Sequence, residues 1–295
     1  MTGKPAYIGY ASWEERYVLG GEKLCSEKQF SQALIFYSSE SKHLTAENRG
    51  FIRGFFKAYG CRVDTAELPF EQSATSWKEI RRNLEIVEEE GKDVFVDIST
   101  MPRNVIFTIF NLLTNKGCNV KSVYHSPSGY PNEPLCRDAG TPYLIFKLSG
   151  EFDLTKKGTV FIATVGFNPE RVAMAIRHFE PAHVILGFQK GNPYENLRKS
   201  VESFNNIFGA SIKAETFHFD TYGGDAGFAG LTELVSKYKN EYNIVMGSFG
   251  PKRTAAAMYR VYNNGNTEIG FCYVPMKTYD CVYSTGLENT FIDQI

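Results

Sequence analysis

An apolar run, a Ser-x-x-Pro-basic turn and an apolar helical run occur in that order twice in this chain of 295 residues. In the first copy Val94, Phe95 and Val96 lead through Asp97-Ile98-Ser99-Thr100-Met101-Pro102-Arg103 into Val105, Ile106, Ile109, Phe110, Leu112 and Leu113. In the second, Ile244-Val245-Met246 leads through Gly247-Ser248-Phe249-Gly250-Pro251-Lys252 into a helical run from Ala255 to Tyr262. A short apolar run before a turn reads as a buried strand, and apolar residues at i, i+3, i+4 read as a helix face. Proline suits the first helical position, where its missing N–H costs nothing. Both serines are therefore expected at or just before a helix N-terminus, at the carboxyl end of a strand. Ligands of open α/β sheets bind at that edge, and helix N-termini favour anions.

The surrounding sequence repeats the alternation. Tyr7–Ala11, Ala33–Tyr37, Cys61–Leu68, Val120–Tyr124 and Tyr143–Leu148 read as strands of a first half. Helices are expected from the loop after Ser12, over Leu44–Tyr59 and over Ser76–Glu90, with a Pro-, Ser- and Gly-rich loop over Ser126–Thr141. Ser12 reads as the N-cap of the first of these helices. After Lys156-Lys157-Gly158 come strands at Thr159–Val165, His183–Phe188, Ser211–Phe219, Glu268–Val274 and Asp280–Tyr283, with helices after Pro169 and over Tyr194–Phe208 and Ala226–Lys239. The interval from Arg16 to Ser99 nearly equals that from Arg171 to Ser248. Apolar strands alternating with amphipathic helices imply parallel sheets with helices on both faces. The expected fold is α/β: two tandem Rossmann-like three-layer domains, 1–150 and 151–295, related by internal duplication. Two unrelated Rossmann-like domains would give similar spacings.

Composition narrows the function. The net charge is −1, so no global attraction to nucleic acid or to a membrane surface is expected, and any anion site must be local. No apolar run reaches the ~20 residues of a membrane helix, and no signal peptide is evident. Six scattered cysteines without a CxxC pair read as reduced thiols of a cytoplasmic protein. No metal is expected, because no ligand pair has zinc-site spacing. GxxxxGK[ST] is absent, as is GxGxxG after the first strand, so neither a P-loop nor a dinucleotide cofactor is expected. GxSxG and HExxH are absent as well.

Two loops then converge at the carboxyl edge of each sheet. The first half offers Ser12, Trp13, Arg16, Ser99, Thr100 and Arg103; the second offers Gly166, Asn168, Arg171, Ser248, Lys252 and Arg253. Hydroxyls, amides at a helix start and guanidinium or ammonium groups suit phosphate, and Trp13 or Phe167 could stack on a base. Each residue has a plainer role. Ser99 and Ser248 could cap their helices, Arg16 and Arg171 could pair with nearby acids, and Trp13 could be core. Tyr222-Gly223-Gly224-Asp225-Ala226-Gly227 reads as a phosphate nest or a flexible connector. Each of the five histidines stands alone in sequence and reads as structural.

Phe161-Ile162-Ala163-Thr164-Val165-Gly166-Phe167-Asn168-Pro169-Glu170 resembles the first strand and ligand loop of CARF (CRISPR-associated Rossmann fold) domains. Gly247-Ser248-Phe249-Gly250-Pro251-Lys252 sits where that family has a Thr-Gly-Gly-Thr-Lys-like loop, with a small polar residue and the lysine kept and the double glycine lost. Asp97-Ile98-Ser99-Thr100 and Arg103 are the more distant counterpart in the first half. The resemblance implies a paired arrangement, as in the similar SAVED proteins, in which two CARF-like units bind one cyclic oligonucleotide in a composite pocket. It thereby implies a nucleotide-sensing protein of a prokaryotic defence system. An enzyme cleaving a phosphodiester or glycosidic bond is the alternative, with Ser99, Thr100, Arg103, Ser248 and Lys252 at the ring and Glu15 and Glu170 as candidate acid or base. A structural subunit with a partner protein at the Tyr124–Pro134 loop is the third reading. No effector domain is evident at either end.

Overall fold

A computed structural model of the chain describes residues 3–69, 73–87, 89, 91–130, 136–191, 202, 206, 214–279 and 284–295. Contacts divide it into two compact units: Met1–Asn132 with Asp280–Ile295, and Glu133–Tyr279. Each is built on its own six-stranded sheet.

In the first unit the strands are β1 (Ala6–Tyr10), β2 (Gln32–Ser38), β3 (Arg62–Leu68), β4 (Asp93–Asp97), β5 (Asn119–His125) and β14 (Thr290–Gln294). The helices are α1 (Glu15–Glu27), α2 (Ala46–Ala58), α3 (Ser73–Leu84) and α4 (Arg103–Thr114). The sheet order is β14-β5-β4-β1-β2-β3, with only β14 antiparallel. α1 lies beside α2 and α3 beside α4, as right-handed crossovers on opposite faces require. β1 and most of β2 and β4 are buried throughout, which is why they read as unbroken apolar runs. Tyr7, Phe30, Ile35, Ile52, Phe56 and Phe95 pack together under α1 and α2.

The second unit contains β6 (Cys136–Ala139), β7 (Tyr143–Leu144), β8 (Thr159–Thr164), β9 (His183–Gln189), β10 (Ala214–Phe219), β11 (Asn243–Ser248), β12 (Gly270–Tyr273) and β13 (Met276–Tyr279). The helices it shows among the described residues include α5 (Pro169–Phe179), α6 (Phe228–Tyr238) and α7 (Lys252–Asn263). The sheet order is β10-β9-β8-β11-β12-β7, with only β7 antiparallel. β6 and β13 form a separate antiparallel ribbon. Taken strand for strand, the two sheets share one order, and both units are Rossmann-like.

Several expectations change. Tyr143–Leu148 shrinks to Tyr143–Leu144, which pairs with β12 rather than ending the first sheet. The first sheet instead takes its antiparallel edge from β14, which pairs with β5 from Thr290 to Gln294. Helix α3 ends at Leu84 rather than Glu90, although Val87 beyond it is still buried. Part of the Ser126–Thr141 loop forms β6. The expected helix over Tyr194–Phe208 lies almost wholly outside the described residues. The start of the Ser211–Phe219 strand and the Asp280–Tyr283 strand lie outside them too. Among the described residues no helix is long and apolar enough to cross a membrane.

Candidate functional site

In both sheets the chain leaves the first strand toward one side and the fourth toward the other. β1 adjoins β4, and β8 adjoins β11. The loops that follow these strands therefore flank the topological switch point, where open α/β sheets bind ligands. The residues singled out in each half lie on those loops, at the strand end before them or at the start of the helices that follow them, within their own unit.

The two Ser-x-x-Pro turns have one geometry. Pro102 has φ −60° and ψ 144°, and Pro251 has φ −57° and ψ 144°. Both prolines, expected at the first helical position, are instead the N-cap residues, with Arg103 and Lys252 opening α4 and α7. A proline side chain cannot accept a hydrogen bond, so neither helix has a side-chain cap, and neither has an acidic residue in its first turn. The N-cap position considered for Ser99 and Ser248 is thus held by Pro102 and Pro251. The positive end of each helix dipole faces the switch point with a half-buried cation, Arg103 or Lys252, beside it.

The serines themselves differ. Ser99 is fully buried; its hydroxyl donates to the Asp97 carboxylate at 2.5 Å and accepts from the His125 amide at 2.8 Å. Asp97 also accepts from the Ser99 amide and from the Tyr7 hydroxyl. Burial first, then Asp97, holds the Tyr7 phenol well above its ordinary value, so Tyr7 keeps the proton it donates. In the second unit Met246 stands two residues before Ser248, where the first has Asp97. The Ser248 hydroxyl is buried without a hydrogen-bond partner, as is that of Thr254 two residues after Lys252. Buried polar groups are nearly always paired, so these two hydroxyls, one at the end of β11 and one in the first turn of α7, are exceptions.

The first loop of each crevice is held by a buried arginine. Arg16, 2% exposed, donates to Glu14 at 2.9 Å and to the His125 carbonyl at 3.3 Å. Glu14 also accepts from Ser284, and Glu15 from the Gly286 amide. Ser12 accepts from the Glu14 amide at 3.1 Å, so it braces the loop and not the helix, whose N-cap is Glu14. Arg171 donates to the Val274 carbonyl and lies over the rings of Phe249 and Tyr273. The acid partner considered for Arg171 is thus replaced by a carbonyl and two rings. Trp13 and Asn168 are half-buried and Phe167 is exposed. Thr100 donates to the Tyr10 carbonyl at 2.8 Å, tying the fourth-strand turn to the first strand.

Contact is closer still in the second unit. A Cβ on Gly166 would stand 2.1 Å from the Phe249 carbonyl oxygen, and one on Gly250 3.2 Å from the Val165 carbonyl. The two loops touch through main chain, which requires glycine at Gly166. Arg253 is buried and donates to the Thr221 carbonyl; Thr221 in turn donates to Gln189. The turn that follows supports a braced connector, not a phosphate nest. Asp220 accepts from the amides of Tyr222 and Gly223, and Asp225 from those of Gly227 and Ala229. Two groups escaped sequence reasoning: Asp97, which looks like the end of a strand, and Thr254, which lies within a helical run. Among the described residues no cluster of three or more His, Cys, Asp or Glu could hold a metal ion.

No protein-family model matches this chain, and no curated protein matches it. Solved structures do. One is the structure of a Type III CRISPR defence DNA nuclease activated by cyclic oligoadenylate, at 10% identity and a TM-score of 0.57. The match covers 87% of this chain and 64% of the nuclease, so the chain spans less than two thirds of that protein. This likeness is one of fold. The cytoplasmic domain of a prokaryotic cation chloride cotransporter also matches, at 8% identity over 92% of this chain and 95% of that one. Its TM-score of 0.31 carries no argument.

Proposed function

We propose that this chain binds a nucleotide of the cyclic oligonucleotide class at its switch-point crevices and serves as a cytoplasmic sensor in a prokaryotic defence system. One observation carries the reading. Two turns of equal geometry each present a helix start with proline at the N-cap and a cation, Arg103 or Lys252, where an α/β sheet takes its ligands. The Ser248 and Thr254 hydroxyls, buried and without protein partners, fit phosphate or ribose oxygens in the second crevice. In this reading Thr100, Asn168 and the main chain of the Gly166 loop line the same edges, and Trp13 and Phe167 stack on a base. Arg16, Arg171 and Arg253 act as braces that hold the loops in shape. The fold likeness to a nuclease activated by cyclic oligoadenylate supports the choice of ligand class.

Calorimetric titration with a panel of cyclic oligoadenylates and their linear counterparts tests this. Saturable binding that Lys252→Ala weakens supports it, and absence of binding to every member of the panel refutes it. Chromatography of the recovered ligand shows whether a phosphodiester has been cut.

A further inference from the structure

Helix α2 is buried on one face through Ile52 and Phe56, while Ala46, Glu47, Gly50, Phe51, Arg53, Gly54, Lys57 and Ala58 are exposed. Two features of that outer face have no cause among the described residues. Gly50 and Gly54 sit in the helix interior, each costing about 1 kcal/mol relative to alanine. Neither needs to be glycine, since an added Cβ would meet nothing within 4 Å and neither has a positive φ. Beside them runs an aromatic edge: Phe51 stacks on Phe55 at 6.4 Å and Phe55 meets Tyr59 in a tilted contact at 5.1 Å, with Phe51 51% and Tyr59 50% exposed.

The face is also symmetric about Ile52. Gly50 mirrors Gly54, Ala46 mirrors Ala58, and the acid Glu47 mirrors the base Lys57. Two antiparallel helices related by a two-fold axis at that level place each residue opposite its mirror position. We infer that α2 is a homodimer seam, in which Gly50 and Gly54 of one copy meet Gly54 and Gly50 of a second copy. Small residues let two helix backbones approach closely, and an isologous contact needs such self-complementarity. Each end of the seam then carries one Glu47–Lys57 ion pair between copies. The same axis sets the two aromatic edges side by side along one flank, burying surface that a lone chain leaves wet. Arg53 lies on the other flank, in solvent. The charge pattern selects a second copy of this chain, because Glu47 and Lys57 complement each other only when the two helices run antiparallel.

Sedimentation velocity over a concentration series tests the seam. Wild-type protein is expected to dimerise. Gly50→Leu with Gly54→Leu fills open space on the monomer and favours the helix, so these variants are expected to stay folded, melt no lower and remain monomeric. Glu47→Lys and Lys57→Glu are each expected to weaken the dimer about tenfold or more, and the double exchange to restore it. A wild-type chain that stays monomeric at 100 µM overturns the inference. So does a dimer indifferent to the leucine variants, or one that the double exchange fails to restore. The inference does not depend on the ligand reading.

Discussion

Arg16 and Arg171 do the same work in the two units: each is buried and reaches across the sheet to a main-chain carbonyl at the far end of the fifth strand, His125 for one and Val274 for the other. Each follows its first strand and ties that loop to the strand beyond its neighbour, closing the floor of a crevice. Arg16 also neutralises buried Glu14. Arg16→Met is therefore expected to lower stability by about 3 to 5 kcal/mol, because it strands a buried carboxylate. Arg16→Met with Glu14→Gln should recover part of that loss. Urea unfolding of the three variants checks both expectations.

Ser99 and Ser248 occupy one place in the sequence repeat but differ in chemistry. Ser99→Ala removes a donor to Asp97 and an acceptor for the His125 amide, and is expected to cost about 1 to 3 kcal/mol. Ser248→Ala removes a hydroxyl with no partner in the protein, and is expected to leave stability within about 0.5 kcal/mol of wild type or raise it. Thermal melts separate the two, and titration should show Ser248→Ala weakening nucleotide binding.

Gly166→Ala forces a methyl against the Phe249 carbonyl, which is main chain and cannot swing aside. The two loops must part, at a cost of about 1 to 3 kcal/mol. Nucleotide affinity should fall as well, since the crevice walls move. Calorimetry together with denaturant midpoints checks this, and Gly3→Ala, in open space, serves as the control.

His125 gives the first unit a pH dependence. It is fully buried, with its Nδ1 at 2.9 Å from the Thr290 hydroxyl and its Nε2 without a hydrogen-bond partner. Burial lowers its pKa from the ordinary 6.5, opposed by Asp97. Below that value the unfolded chain binds a proton that the folded chain refuses, so the unfolded state gains. Stability is expected to be full above about pH 6.5 and to fall as the pH drops below it. Urea midpoints at pH 7.5 and 5.5 should separate in the wild type and draw together in His125→Gln.

The α/β class was legible because β1, β4, β8 and β11 are buried on both faces and appear as short apolar runs. The turns were legible because strand, Ser-x-x-Pro and cation lie together in sequence. Pairings between distant segments were not. β14 completes the first sheet from the far end of the chain, and its Thr290, Phe291 and Ile292 are only half-buried or exposed, so no apolar run marks it. Tyr143–Leu144 follows the first half in sequence, yet its register lies with Tyr273 and Cys272. Pairing with a nearby acid was one sequence reading of Arg16, and Glu14 supplies that acid, but the carbonyl partners of Arg16, Arg171 and Arg253 escaped because a guanidinium that binds a carbonyl and one that binds a phosphate are spelled alike. Asp97 escaped because nothing local distinguishes a carboxylate that accepts from a tyrosine ninety residues away.

The central claim is that two cations at two helix starts hold one class of ligand, and calorimetric titration of cyclic oligoadenylates into wild type, Arg103→Ala, Lys252→Ala and the double variant tests it most directly. A charge-assisted hydrogen bond contributes about 1.5 to 3 kcal/mol, so each single change should weaken binding by roughly tenfold to a hundredfold and the double change should abolish it. Wild-type affinity retained by Arg103→Ala with Lys252→Ala would contradict the account.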